Sequence, residues 1–364
     1  MSIEFVPQTE THREAVAALN RRLQDARAQV PFLLPTEDAP RTGLIQARHY
    51  LAVDGHHVRG GYLLFSFPAF LNGAETLVAN IQSPLSESIA DKRYAPLPMQ
   101  MVRQFLRHNP LCFCVGMGEA TNALPRLLRA AGWSVEAVPF LFRVHRAARF
   151  LSQLPALQSP WWKRIGARAA AWSGAGALGR IWLHRRRAPR PSGLTLVREQ
   201  AWGSWADSVW QAFQAQVRFA VRRDAAVLAE MYPPADPRLR IYRVTAGANT
   251  AGWATALLTP MHAHPHLGNL RVATILDGAA LPEAFFPVAT LADEALAREG
   301  ADLVITNQSL LRWREAFALA GFRAGPSNYQ FAGSPRLAAS LSKCPVADGL
   351  VHITRGDGDG RIHL

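Results

Sequence analysis

Residues 111–133 read LCFCVGMGEATNALPRLLRAAGW, and residues 302–322 read DLVITNQSLLRWREAFALAGF. Each opens on a short apolar run, Leu111 to Val115 or Asp302 to Thr306, of the length of a buried strand. Each then passes through a polar turn into a helical pattern. Both patterns stop at a glycine followed by an aromatic, Gly132-Trp133 and Gly321-Phe322. Glycine accepts the left-handed backbone that closes a helix, so each glycine predicts a C-terminal cap and each aromatic the start of another strand.

The likeness extends outward. Residues 49–68 place two β-patterned runs around Asp54-Gly55, which predicts a hairpin. Residues 239–260 repeat the plan, with Tyr50, Gly55 and Gly61 matched by Tyr242, Gly247 and Gly252. Both repeats end in β-rich tails, Val135 to Val144 and Tyr329 to Ala332. The chain therefore reads as two copies of one α/β unit offset by about 190 residues.

Composition agrees with a two-domain globular chain. Its 364 residues are 49% hydrophobic and 18% charged, which excludes a wholly disordered or fibrous protein. Three cysteines make no disulfide framework, and Cys112 and Cys114 alternate with apolar neighbours as in a buried strand. The expected compartment is reducing and cytoplasmic. The N-terminus shows no charged region followed by an apolar stretch, so no signal peptide is expected. No uncharged apolar run reaches the roughly 18 residues of a spanning helix; the best candidate, Ala169 to Gly179, is too short and is bracketed by Arg168 and Arg180.

The formal net charge is +13, and residues 143–190 supply +11 of it: ten arginines, Lys163 and no acid. Trp161, Trp162, Trp172 and Trp182 lie in the same stretch. Arginine interleaved with tryptophan suits an anionic membrane surface. It suits nucleic acid too, through phosphate neutralisation and stacking. A solvated connector whose tryptophans pack on the flanking domains is the plainest reading.

The element order of each copy is helix, hairpin, strand, long helix, strand, a helix ending Ala-Gly-aromatic, then strands. This order resembles the GNAT acyltransferase fold, present twice, over roughly 1–146 and 194–335. The implied fold class is α/β (α+β): two GNAT-like domains, each a mixed, mostly antiparallel sheet flanked by helices, with 147–193 as a linker and 336–364 as a C-terminal extension. Arg222 to Tyr232 and the run Val138 to Arg143 further resemble tandem GNAT-like proteins that accompany bacterial cell-surface polysaccharide genes. The resemblance implies an acyl-CoA donor, acetyl-CoA or a longer thioester, with no metal. Its pyrophosphate would rest on backbone N–H groups of an Arg/Gln-x-x-Gly-x-Gly/Ala loop at a helix N-terminus. An amine or hydroxyl acceptor, small or sugar-linked, would attack the thioester. In the family a tyrosine four residues before the helix-closing glycine often protonates the leaving thiolate.

This sequence departs from that pattern. The first loop reads Arg93-Tyr94-Ala95-Pro96-Leu97-Pro98, with prolines in place of both glycines, and proline has no N–H to give. The second copy has no Gly-x-Gly between the strand expected to end at Asp277-Gly278 and the helix expected over 288–299. The tyrosine positions hold Leu128 and Phe317.

The candidate site residues follow from their places in the pattern. Asp277, at the expected strand end, is a candidate general base, or an N-cap. Tyr329 is a candidate hydroxyl donor, or core. Gly278, Asn307 and Arg93 are candidates for cofactor binding; a turn or an Asx turn explains the first two as simply. Arg223, Asp224 and Tyr232 are candidates for lining an acceptor site, although local pairing explains the first two. His262, His264 and His266 alternate as zinc ligands on a strand would, but Pro265 interrupts them and a loop is expected. Gly356 to Gly360 lacks calcium-loop spacing and reads as a terminal turn.

The expected activity is acyl transfer, with the chemistry in the C-terminal copy. The alternatives are tRNA-dependent aminoacyl transfer by a tandem GNAT protein, served by the basic segment, and a non-catalytic adaptor attached through 143–190 to the inner face of a membrane.

Overall fold

A computed structural model describes residues 3–26, 32–153, 188–189, 191–342 and 344–358. They form two compact units. The first holds residues 1–137 and 330–345, the second 138–329 and 346–364.

The chain begins in the first unit with β1 (Ile3–Pro7), α1 (Arg13–Asp25), β2 (Arg41–Thr42), β3 (Gln46–Asp54), β4 (His57–Leu71) and β5 (Ala74–Ser86). There follow α2 (Leu97–His108), β6 (Cys112–Val115), α3 (Ala123–Ala130) and β7 (Ser134–Ala137). The second unit takes β8 (Phe140–Val144), α4 (Ala147–Gln153), β9 (Thr195–Glu199), α5 (Trp205–Gln214), β10 (Phe219–Val221) and α6 (Ala225–Met231). It continues with β11 (Leu239–Ala246), β12 (Asn249–Pro260), β13 (Arg271–Ala280), α7 (Phe285–Arg298), β14 (Leu303–Asn307), α8 (Leu311–Leu319) and β15 (Arg323–Gly325). The chain returns to the first unit for β16 (Gln330–Gly333) and α9 (Pro335–Leu341), and β17 (Val351–His352) belongs to the second.

The first sheet has the strand order β1-β3-β4-β5-β6-β16-β7, and the second has β9-β11-β12-β13-β14-β8-β15. Along each order one pair is parallel, β5 with β6 and β13 with β14, and every other pair is antiparallel. The two sheets thus match strand for strand, and each is mixed and mostly antiparallel, as the repeat implied. The strand beside the parallel pair differs in origin. β16 of the second sequence copy completes the first sheet, and β8 of the first copy completes the second. The sequence division at 146 and 194 gives each copy its own tail strand; the pairing exchanges them. A short apolar strand fits the matching interior place of either sheet, so its pattern does not name its partner.

The caps and hairpins form as read. Gly132 and Gly321 have φ of +83° and +93°. Trp133 N–H donates to Leu128 C=O and Phe322 N–H to Phe317 C=O, each pair closing a Schellman turn. Gly55 and Gly247 turn the two hairpins with φ near +58° and +59°. Gly61 and Gly252 are required for space: a Cβ would sit 2.7 Å from Tyr50 O in the first case and 2.8 Å from Ala279 O in the second.

Of the eleven cations in 143–190, eight lie outside the described residues, as do its four tryptophans. The other three are ion-paired: Arg143 with Asp293, and Arg146 and Arg149 with Asp302. The basic segment therefore presents less free charge at its start than its composition suggested. No helix among the described residues is long and apolar enough to cross a membrane.

Candidate functional site

In both sheets the parallel pair parts. β13 pairs β14 from Val272↔Leu303 to Ile275↔Thr306, then runs on to Ala280 alone on that side. Here it carries a bulge: Thr255 faces Asp277 while Ala256 faces Ile275, so Leu276 is the extra residue. β5 pairs β6 only at Ala79↔Cys112 and Asn80↔Phe113, then continues to Ser86 through a register shift opposite Gly61–Leu63, where Ser83 has φ +50°. Two parallel strands that separate at a bulge leave a wedge with one unpaired backbone edge on each side.

In the second unit the chain's own C-terminal segment occupies this wedge. Thr354 bridges Gln308 on the β14 margin, and Ser309 exchanges hydrogen bonds with Val351 and Ile353. On the β13 margin His352 Nε2 lies 3.0 Å from Asp277 Oδ1. The sequence expectation of a turn at Asp277-Gly278 is corrected: both residues lie inside β13. Gly278 fits tightly there: a Cβ would stand 3.0 Å from Trp253 O and 3.0 Å from the Trp313 ring, so either neighbour would have to give by a few tenths of an ångström.

Asp277 is fully buried. Its Oδ2 accepts from Arg223 Nε at 2.5 Å and from Tyr232 Oη at 2.8 Å, and its Oδ1 accepts from Gly278 N at 2.9 Å. Arg223 also donates to Asp357 at 2.5 Å and to Val221 O at 2.8 Å. Asp357 accepts in turn from Thr354 N and Oγ1. Burial alone raises the Asp277 carboxyl, but the Arg223 charge and the His352 and Tyr232 hydrogen bonds outweigh it and hold it at about 2. The carboxylate is therefore ionised, and His352 Nε2 carries the proton between them. Burial next to Asp277 pushes the Tyr232 phenol well up, so it remains a donor.

A carboxylate held low by an arginine is a weak proton acceptor at neutral pH. Its depressed value contributes stability that is present above the ordinary carboxylate range and lost as pH falls through it. Denaturation midpoints should accordingly drop between about pH 4 and pH 2 more steeply in the wild type than in Asp277→Asn; equal slopes would contradict the pairing.

The other sequence candidates are placed as follows. Tyr329 is buried, and its hydroxyl donates to Thr354 O at 3.2 Å. Asn307 donates to Val138 O at 3.1 Å and accepts from Arg355 Nε at 2.7 Å, tying β8 and the C-terminal segment together. Asp224 caps α6 by accepting from Val227 N, and it pairs with Arg222. Arg93 is exposed in the first unit and clasps Asp91 at 2.7 Å. The structure thus gathers Asp277, Arg223 and Tyr232 and adds His352, Thr354 and Asp357, of which the sequence reading singled out only Asp357, as part of a terminal turn. Met261 to Gly268 is a loop in which His264 Nδ1 accepts from His266 N and Leu267 N. Among the described residues no cluster of three or more metal-ligating side chains occurs.

In the first unit the wedge is open. A cavity of about 310 Å³ lies there, lined by Ile81, Pro84, Leu85, Ser86 and Ser88 beyond the parting of β5, by Cys114 of β6, and by Met99, Met101, Val102 and Phe105 of α2. Leu124, Leu127 and Leu128 of α3 and the buried Trp133 complete it. Leu128, at the position where the family often has tyrosine, forms part of its apolar wall. Prolines 96 and 98 stand at the start of α2, and Pro98 is at the cavity. Sequence reasoning missed the lining of this cavity because each residue alone reads as core.

Two solved structures are similar in fold to this chain. One is a GCN5-related N-acetyltransferase from Anabaena variabilis, 11% identical, with TM-score 0.51 over 91% of this chain and 72% of that one. The fold is the GNAT fold. The other is a conserved protein of unknown function from Enterococcus faecalis, a probable N-acyltransferase, 11% identical, with TM-score 0.51 over 94% of this chain and 75% of that one. At such identity the likeness is one of architecture. No family model and no curated protein matches the sequence.

Proposed function

We propose that the chain is an acyltransferase whose donor site is the open wedge of the first unit, and that the second unit is a packing partner whose equivalent wedge is closed by residues 351–357. The observation that carries this reading is the cavity where β5 and β6 part, set against the hydrogen-bonded segment in the matching place between β13 and β14. A thioester threaded between diverging strands meets unpaired backbone groups on either side and apolar walls from α2 and α3. There the acceptor nitrogen or oxygen would bond to the acyl carbon as the C–S bond breaks, and the proton the acceptor loses would balance the one the thiolate gains as it leaves as a thiol. The acceptor is an amine or hydroxyl, sugar-linked in the reading that follows the cell-surface resemblance. In this account Asp277, Arg223 and Tyr329 hold the second unit together.

Titration with CoA thioesters followed by thermal unfolding tests it. A ligand that binds only the folded state stabilises it by about 2.7 kcal/mol at a hundredfold excess over its dissociation constant. A rise in the unfolding midpoint with acyl-CoA supports the reading. No shift with any thioester, together with salt-sensitive tRNA binding, would replace it with aminoacyl transfer.

A further inference from the structure

The first unit has a second cavity, of about 480 Å³, that shares no lining residue with the proposed donor site. Alternate residues of a strand share one face, so Gln46, Arg48 and Tyr50 of β3 stand in a row along it. β4 sets Ser66 opposite Gln46 and Tyr62 opposite Tyr50. β2 pairs with β3 through Arg41↔Ala47 and Thr42↔Gln46, which brings Arg41 and Thr42 to the same space. Two arginines, three hydroxyl groups and an amide therefore line the cavity, and no Asp or Glu does. Both arginines are exposed, and neither has a carboxylate partner or a side-chain hydrogen bond among the described residues. Elsewhere in this unit Arg22 and Arg59 share Glu87, and Arg93 clasps Asp91. Two guanidinium groups around one space repel each other until an anion enters. The floor beneath them is fixed. The Tyr50 ring stacks on Tyr62 at 5.6 Å, and Phe105 meets Tyr62 edge-on at 5.6 Å. A ring held in this way offers its hydroxyl at little cost in ordering.

We infer that this cavity binds the phosphate monoester of a hydroxyl-rich small molecule, a sugar or polyol phosphate. Arg41 and Arg48 meet the phosphate, and Gln46, Tyr50 and Ser66 meet the hydroxyls. The charge calls for an oxyanion, because a guanidinium donates in a fork that matches carboxylate or phosphate oxygens. The pairing of two arginines favours phosphate: a monoester carries a charge of about −1.5 to −2 at neutral pH and three acceptor oxygens, enough for both forks. The rest of the lining sets the body of the ligand. A bare phosphate would leave the amide and hydroxyl groups without a partner from the ligand. An apolar body would cover them unpaired, which is costly. Sugar hydroxyls donate and accept, so they answer an amide and a hydroxyl alike. The site stands apart from the donor reading and holds whether or not the wedge between β5 and β6 takes a thioester.

Calorimetric titration of the full chain with glucose 6-phosphate, inorganic phosphate and glucose, without any CoA compound, tests the assignment. Glucose 6-phosphate should bind more tightly than inorganic phosphate by at least about tenfold, and glucose should bind more weakly than either. Arg41→Gln and Arg48→Gln should each weaken glucose 6-phosphate by about tenfold or more; both positions are exposed, so the fold should be unaffected. Tyr50→Phe keeps the stack on Tyr62 and removes only the hydroxyl. It should weaken glucose 6-phosphate about two- to tenfold and leave inorganic phosphate unchanged. Arg21→Gln removes the same charge from an exposed position of α1 outside the cavity and should change neither. Equal losses in Arg21→Gln and Arg48→Gln would reduce the binding to general attraction by a basic surface and overturn the site. Equal affinity for inorganic phosphate and glucose 6-phosphate would overturn the polyol body. Absence of binding by both phosphate compounds would overturn the whole inference while leaving the donor site untouched.

Discussion

Arg223→Met should destabilise the second unit by about 3–5 kcal/mol, read as a fall in its denaturant midpoint. Arg223 is fully buried and answers two carboxylates, Asp277 and Asp357, each at 2.5 Å. Methionine has similar length and would fill the space, so little of the loss would come from packing. What remains is two carboxylates out of water without the Arg223 charge, with Tyr232, His352 and Thr354 among their hydrogen-bond partners. Removing one member of a buried pair costs far more than the pair contributes over an apolar substitute, because the surviving charge is stranded. The variant also removes one of the two links between β13 and residues 351–357 named above, leaving only the contact of His352 with Asp277, so the C-terminal segment should exchange its amides faster. A loss below about 1 kcal/mol would show that the network is not what closes the second wedge.

Leu124→Trp should abolish donor binding while leaving the melting temperature near that of the wild type. Leu124 lies on α3, is only partly buried, and lines the cavity. An indole there has a void to enter, so it avoids the overpacking penalty of about 1–3 kcal/mol that a filled core would impose. The same indole takes up volume that the thioester needs. With a cavity of about 310 Å³, the expected loss of affinity for octanoyl-CoA is at least about a hundredfold, since most of the apolar contact would be displaced. Undiminished binding in a folded variant would place the donor elsewhere.

These expectations rest on features of unequal visibility in the sequence. The two hairpins were legible because Gly55 and Gly247 stand where the turn needs positive φ. The helix ends at Gly132 and Gly321 were legible for the same reason, and the match between copies made the repeat clear. The course of β13 was not. Asp277-Gly278 has the composition of a turn, yet Gly278 pairs with Ala254 inside the strand, where Trp253 and Trp313 crowd the place of a Cβ. That constraint comes from packing, which no local pattern records. The exchange of β8 and β16 was hidden too, since each is a short apolar strand acceptable to either sheet.

The candidate site divides in the same way. Asp277, Arg223 and Tyr232 stood out by position, and the structure brings them together. Their remaining partners, His352 and Asp357, lie 75 and 134 residues along the chain from Asp277 and Arg223 respectively. Nothing in Val351 to Asp357 marks it as an insert between strands. The cavity of the first unit was invisible for the opposite reason: Leu124, Leu127, Met101 and Trp133 carry an ordinary core pattern, and only the parting of β5 from β6 turns part of that core into a space.

Hydrogen exchange with and without saturating octanoyl-CoA bears on the location of the donor most directly, since it reads both wedges in one unmodified protein. Slower exchange in peptides spanning 81–89 and 114–128, with 276–280 and 307–309 unchanged, is the result expected of a donor held between β5 and β6. Protection confined to 276–280 and 307–309 would mean that the C-terminal segment yields to the ligand and that the assignment of the two units must be reversed.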